Sequence, residues 1–424
     1  MSRYLGPMRP TTLYRSLFVA SVGAILAATL SPIAGEEPER WFGCVVCGDR
    51  GTADVLVNVL LFLPFGAALA AAGMPLRRAM LGCALLSAGV EFAQLYIPGR
   101  DPSLGDIVFN TVGSALGAVL VATAPFWLLP ARARTSQLSR AAAVAAAALC
   151  YLTGWLLAPA LPERQYFALW TPNLGHLEWY RGRVWEAGIG DVHIPTGPLR
   201  NSSAVRDLLL APNGFSLNVG AVAGPRTTAL GGLVAIYDEE GREILLLGPD
   251  RDDLVFRLRT RAAAWRFDEP DIRVLNALRS VAPGDSLDVT VRGSRGRYSI
   301  SVNSTGRSGL GFTLGSGWAM LMYPEALPAW LKTFLGLAWV AVLWAPAGFW
   351  ARTRSDVWIA GGALVVALLG APAVMPLRAT PLLQWAAAGL GGLAGAALRL
   401  VLERYPPARP STLASSPMQR SMRA

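Results

Sequence analysis

Six polar side chains, three carboxylates and three amides, recur at helical spacing in one stretch of the chain. Asp54 and Asn58 lie four residues apart, Glu91 and Gln94 three, and Asp106 and Asn110 four. On a helix each of these spacings puts both members on one face. Carboxylates beside amides suit two kinds of chemistry: general acid–base work, or capture of a polar headgroup that the amides orient. Glu91, Asp106 and Asp54 are the candidates for a catalytic acid or base, and all six residues are candidates for ligand binding. Arg100, in the loop Ile97-Pro98-Gly99-Arg100-Asp101, is the nearest cation able to balance three carboxylates or hold an anionic group. The plainer reading makes Asp54 and Asp106 first-turn helix acids and the amides interhelical glue.

The elements that must position these residues are strongly apolar. Of 424 residues, 53% are hydrophobic and 16% charged, whereas a soluble protein carries about 25% charged residues. A spanning helix needs about 20 mostly apolar residues, and runs of that kind fall at 16–34, 54–73, 78–97, 105–129, 141–161, 329–350, 356–375 and 380–402. The net charge of +10 does not point to nucleic acid, because the arginines cluster between these runs, at Arg77–Arg78, Arg132–Arg134 and Arg352–Arg354. With the N-terminus inside, the clusters fall on the cytoplasmic side and an even number of spans returns the C-terminus there. Asp54 and Asp106 then begin inward-running spans, with Asn58 and Asn110 ~6 Å deeper. Glu91 and Gln94 end an outward-running one. The expectation is one polar layer near the outer leaflet, at a depth where ionisable groups are expensive.

Between about Glu163 and Tyr323 the pattern changes to short alternating runs broken by turn residues. Phe215–Val222, Gly232–Tyr237 and Ile244–Leu247 read as strands, the last entered through Asp238-Glu239-Glu240-Gly241. Asp285–Val291 and Tyr298–Val302 form a hairpin around Gly293-Ser294-Arg295-Gly296. Together they predict an antiparallel β-sandwich. Arg257, Arg259 and Arg261 alternate with apolar neighbours and predict a cationic stripe on one strand face. His176 and His193 have no nucleophile or ligand set beside them and read as structural. Cys83 and Cys150 sit in apolar runs as packing residues. Cys44 and Cys47 form C-x-x-C in a polar loop without the two further ligands zinc needs, leaving a local disulfide or two free thiols.

The fold class is therefore a multi-pass α-helical membrane protein of about eight spans with an extracytoplasmic antiparallel β-sandwich. Its expected parts are a five-helix domain over 1–161, the sandwich over 162–326, a three-helix domain over 327–403 and a disordered cytoplasmic tail over 404–424.

Asp54-x-x-x-Asn58, Phe62-x-Pro64-x-Gly66, Glu91-x-x-Gln94, Arg100, Asp106-x-x-x-Asn110 and Gly113-x-x-x-Gly117, in that order, resemble the signature of the VanZ-like family over about residues 16–130. That family is associated with low-level resistance to the glycopeptide teicoplanin. The resemblance implies a role in the cell envelope and supplies no reaction. Phe215–Val222, Asp253–Arg261 and Asp288–Asn303 are similar to concanavalin A-like or laminin G-like domains, which implies glycan or protein binding. The E-x-D-x-x-E arrangement of the hydrolytic relatives is absent.

Three functions fit such a protein in the cell membrane. One is binding of an envelope glycan, lipid-linked precursor or glycopeptide-related ligand at the outer leaflet. A second is an enzyme using Glu91 or Asp106 on a lipid-linked substrate. The third is a transporter, opposed by the lack of comparable polar positions toward the inner leaflet. The expected partners are the bilayer and an envelope glycan or lipid-linked precursor. Cofactors, metal and nucleic acid are not expected.

Overall fold

Helix makes up most of the described part of each expected apolar run, because in lipid only a helix satisfies every backbone group within one segment. The computed structural model describes residues 10–32, 43–46, 48–100, 102–175, 177–322 and 327–404. Among the described residues, six helices are long and apolar enough to cross a membrane, and Tyr14–Leu30 is a shorter apolar helical stretch. Two compact units divide the chain. One holds the described residues before Gly48, Asp54–Thr135 and those from Ala397 on; the other holds Gly48–Ala53 and Ser136–Ala396.

The first unit is built from α1 (Pro10–Leu30), α2 (Gly51–Ala71), α3 (Leu76–Gln94) and α4 (Leu104–Ala122), followed by the short α5 (Ala124–Trp127). Its apolar centre joins Ile25, Phe62, Phe65 and Cys83, one or two residues from each of α1, α2 and α3. α3 packs along α4 and against α1. α2 meets α4 backbone to backbone: a Cβ on Gly113 or Gly117 would overlap the Val59 or Leu63 carbonyl oxygen, and one on Gly66 the Ser114 carbonyl. Small residues four apart permit this approach where no hydrophobic effect drives helices together.

The second unit carries α6 (Arg132–Leu156), the β-domain, α9 (Ala329–Trp350), α10 (Arg354–Val365), which runs through a π turn into α11 (Ala371–Val374), and α12 (Leu382–Arg404). Gly391 and Gly395 face Ala341 and Ala345 of α9, and Gly348 faces Gly392, so this glycine pair packs within the chain. The buried Asp356 ties three helices together. It accepts Ser136 Oγ at 2.7 Å from α6 and closes the capping box with Thr353, just beyond α9.

In the β-domain, two six-stranded antiparallel sheets face one another. β1 (Tyr166–Trp170), β4 (Gly197–Pro198), β6 (Val234–Asp238), β7 (Glu243–Asp250), β8 (Asp253–Leu258) and β9 (Ile272–Val274) form one, in the order β4-β1-β6-β7-β8-β9. The other runs β12-β11-β10-β5-β2-β3, from β2 (Arg183–Ile189), β3 (Val192–His193), β5 (Phe215–Val222), β10 (Ser286–Ser294), β11 (Arg297–Val302) and β12 (Thr305–Leu310). Two short helices, α7 (Ser202–Leu209) and α8 (Arg261–Ala264), interrupt the strands. The expected alternation is realised: Leu287, Val289, Val291, Ile300 and Val302 are buried with Ile236, Leu245, Leu247 and Phe256 of the facing sheet. Phe256 sits 5.6 Å from Tyr298 and 6.3 Å from Phe215, joining the two layers.

The β10–β11 turn is tighter than the sequence suggests. Ser294 pairs with Arg297, so Gly293 and Ser294 belong to the strand and the turn is Arg295-Gly296 alone. Both have positive φ, 48° and 72°, the two-residue turn that matches strand twist. The last strand of the sequence stripe also stops early. β8 ends at Leu258, and Arg261 opens α8, so Arg257, Arg259 and Arg261 do not form a ladder on one strand.

Candidate functional site

The polar layer is assembled around the start of α4. Ser103 is the N-cap, its hydroxyl accepting the Asp106 amide at 3.4 Å. The Ser103 amide donates to Glu91 Oε2 on α3 at 2.8 Å. Asp106 Oδ1 accepts Asn58 Nδ2 on α2 at 2.8 Å. Three helices are thereby joined by two carboxylates, each bonded to a donor from another element. Glu91 is only 2% exposed, Asn58 and Asp106 are half-buried, and Asp54 is exposed. Asp54 stands close enough to Asp106 for their charges to interact, and Asp106 and Glu91 interact in the same way. Asp54 and Asp106 also occupy the first turns of their helices, where the N-terminal dipole favours an anion.

A turn deeper, the buried Asn110 donates from Nδ2 to Ser87 Oγ at 2.9 Å, while its main-chain carbonyl accepts from Cys83 Sγ at 3.3 Å. Asn110 Oδ1 and Gln94 Oε1 are buried without a hydrogen-bond partner among the described residues. An unsatisfied acceptor in a low-dielectric interior costs about 1–3 kcal/mol.

Arg100 and Gln94 are placed against α1. Arg100 donates from Nε to Ser31 O at 2.9 Å and from Nη2 to Ala28 O at 2.6 Å, and Gln94 Nε2 to Thr29 O at 3.0 Å. These are carbonyls at the end of α1, where a helix lacks internal donors and presents negative potential. Burial pulls the Arg100 guanidinium below its ordinary range, while the charge of Asp106 pushes the other way. Arg100 thus caps α1 and acts on Asp106 through space.

The loop before α2 pins the same helix start. Cys44 O accepts the Gly105 amide at 3.2 Å and Ser103 Oγ at 3.3 Å. Gly105 lies so near Val45 that a Cβ there would strike the Val45 carbonyl oxygen. Cys44 is disulfide-bonded, and its expected partner, Cys47, lies outside the described residues. So does His176. His193 is exposed, edge-on to Trp170 at 6.3 Å. Among the described residues no group of three or more His, Cys, Asp or Glu could hold a metal.

Sequence reasoning missed Ser103. Its signal was present, a serine three residues ahead of Asp106 as in a capping pair. The α1 carbonyls that receive Arg100 and Gln94 had no signal, since backbone atoms carry no residue identity.

Compared with known families, residues 24–129 match the model described as VanZ/LLP1. That interval holds the last third of α1 and all of α2, α3, α4 and α5, and so contains every residue of the polar layer. No curated protein and no solved structure matches the chain.

Proposed function

We propose that this VanZ-like membrane protein binds the headgroup of an envelope glycan, lipid-linked precursor or glycopeptide-related ligand in the polar layer of α1–α4, at the outer leaflet. The observation that carries the reading is the meeting of α2, α3 and α4 through Asn58–Asp106 and Glu91–Ser103 at one end of the bundle. Asp54, exposed beside Asp106, receives the ligand at the rim. Glu91 and Asp106 take its donors or protons, and the free acceptors of Gln94 and Asn110 complete the set. The arginine bias supports both termini cytoplasmic and the layer facing outward, an arrangement of eight spans in the cell membrane in which α1 and α3 cross alongside the six longer apolar helices.

The β-domain is, in this reading, an extracytoplasmic concanavalin A-like or laminin G-like binding module. Its two antiparallel sheets support that assignment. So does Trp185, 45% exposed, whose indole covers Gly220 so closely that a Cβ there would meet Nε1 at 2.5 Å. Asn218 and Thr290 lie beside it on the same sheet, linked at 3.0 Å. An exposed indole next to hydroxyl and amide groups suits a sugar ring.

Native mass spectrometry of the protein released from envelopes tests the reading. An envelope-derived species bound to wild type and lost from Glu91→Gln and Asp106→Asn supports it. Identical bound species in all three contradict it. A covalently altered envelope lipid that disappears with Glu91→Gln would instead assign the layer to catalysis.

A further inference from the structure

We propose that the β-domain holds a phosphate-binding pocket where it meets the end of α6, filled by the phosphate of an anionic lipid headgroup. A cavity of about 450 Å³ opens there, lined by the chain just after α6 (Pro159–Pro162) and by five arginines: Arg164, Arg206, Arg242, Arg259 and Arg261. That volume is in the range of small-molecule sites.

The local structure explains why arginines from distant parts of the chain converge. After β8 the backbone continues alongside the segment that leaves α6. The Ala160 amide donates to Arg259 O at 3.0 Å, the Arg261 amide to Ala158 O at 2.9 Å, and Thr260 bridges Pro159. The Thr260 amide is fixed on Glu269 at 2.7 Å, which turns the chain into α8. The sequence stripe is broken at this turn, and the break sends Arg259 and Arg261 into the cavity.

Charge is unevenly balanced around it. Arg164 and Arg242 share Glu240, and Arg206 bonds Glu163 and Asp207 at 3.0 and 3.3 Å. Arg259 and Arg261 have no carboxylate within ion-pair distance among the described residues; Glu269 balances part of the Arg259 charge through space, and Arg261 lacks even that. They are held instead by main-chain carbonyls, Glu243 O at 3.2 Å and Trp155 O at 3.3 Å. A carbonyl fixes a guanidinium without neutralising it, leaving its remaining N–H groups for an oxyanion. Paired N–H donors match phosphate oxygens in geometry and charge.

Position favours a lipid source. Trp155, in the last turn of an apolar helix, lies 6.1 Å from the 59%-exposed Trp265, and Arg261 stacks over Trp155 at 5.3 Å. Tryptophan with arginine at the end of a membrane helix marks headgroup level. The pocket is distinct from the α1–α4 layer, and its test does not depend on that layer's ligand.

Full-length protein in a neutral detergent is titrated with short-chain phosphatidic acid, short-chain phosphatidylcholine and inorganic phosphate, read by tryptophan fluorescence. Wild type should bind phosphatidic acid saturably and at least tenfold tighter than phosphatidylcholine. Arg259→Gln should weaken that binding at least tenfold with an unchanged circular dichroism spectrum and melting temperature. Arg242→Gln, which leaves the α6 contacts intact, should weaken it less. Inorganic phosphate that competes only weakly agrees with the lipid source. If it binds as tightly as phosphatidic acid, the oxyanion chemistry holds and the lipid source is overturned. Equal affinity for both lipids, or equal affinity of wild type and both variants, overturns the site.

Discussion

Replacing Gly113 by alanine puts one methyl group where α4 touches the backbone of α2. The new carbon would overlap the Val59 carbonyl oxygen and lie 2.9 Å from Val59 Cα. Ordinary contact needs about 3.4 Å or more, and the carbonyl oxygen is the nearer atom, so the helices must part by about 1 Å. Asn58 adjoins Val59, and its 2.8 Å bond to Asp106 then lengthens toward the limit of a useful hydrogen bond. Three effects compete. Overpacking costs about 1–3 kcal/mol. The weakened polar contact adds about 0.6 kcal/mol, the average for interhelical hydrogen bonds in membranes. Alanine's better helix propensity returns at most about 1 kcal/mol. The balance is a net loss of about 1–3 kcal/mol. Gly82 and Gly89 on α3 are matched controls, because nothing lies within 4 Å of a Cβ at either. Alanine there keeps only the propensity gain. The assay is reversible unfolding in mixed micelles with increasing dodecyl sulfate. Gly113→Ala as stable as Gly82→Ala would refute the close α2–α4 approach.

The α9–α12 contact obeys the same reasoning: Gly391→Leu or Gly395→Leu should cost about 1–3 kcal/mol, seen as a lower midpoint in the same unfolding assay, while Gly389→Leu, with open space around it, should not. In the β-domain, Glu178 Oε2 accepts the amides of Thr228 and Ala229 at 2.7 Å and the Thr228 hydroxyl at 2.9 Å. What burial it has pushes its carboxyl up, and these hydrogen bonds outweigh that and hold it below its usual 4.5. Folding therefore favours the ionised form. Its stabilisation is present above the unfolded value and is lost as pH falls through the lower folded one. Glu178→Gln should lower the β-domain's melting temperature at about pH 7 and narrow its gap from wild type at about pH 3; a gap that does not change with pH would count against the hydrogen-bond assignment.

How far the sequence reached differs by element. The apolar runs fixed the helices because twenty residues in lipid have one solution, and β5 was legible from Phe215 to Val222 because its alternation is strict. The Arg257–Arg261 run misled because alternation continues past Leu258 while the backbone does not. The turn comes from Glu269 and the segment after α6, both remote in sequence. The meeting of α2, α3 and α4 was legible as a set of polar helix faces, since spacing gives the face. Its bonding partners were not: Ser103 acts through its amide, and Arg100 finds carbonyls on α1. Spacing also could not say whether Gly391 and Gly395 pack within or between chains, which depends on Ala341 and Ala345 arriving from α9.

The most direct test of the shared polar layer is cross-linking in native membranes. In a background with Cys83→Ala and Cys150→Ala, a short bifunctional thiosulfonate should join Asn58→Cys to Asp106→Cys within one chain, and should not join Leu85→Cys, on the exposed face of α3, to Asp106→Cys. Efficient linking of the second pair, or none of the first, would mean that these helices do not present their polar groups to one another.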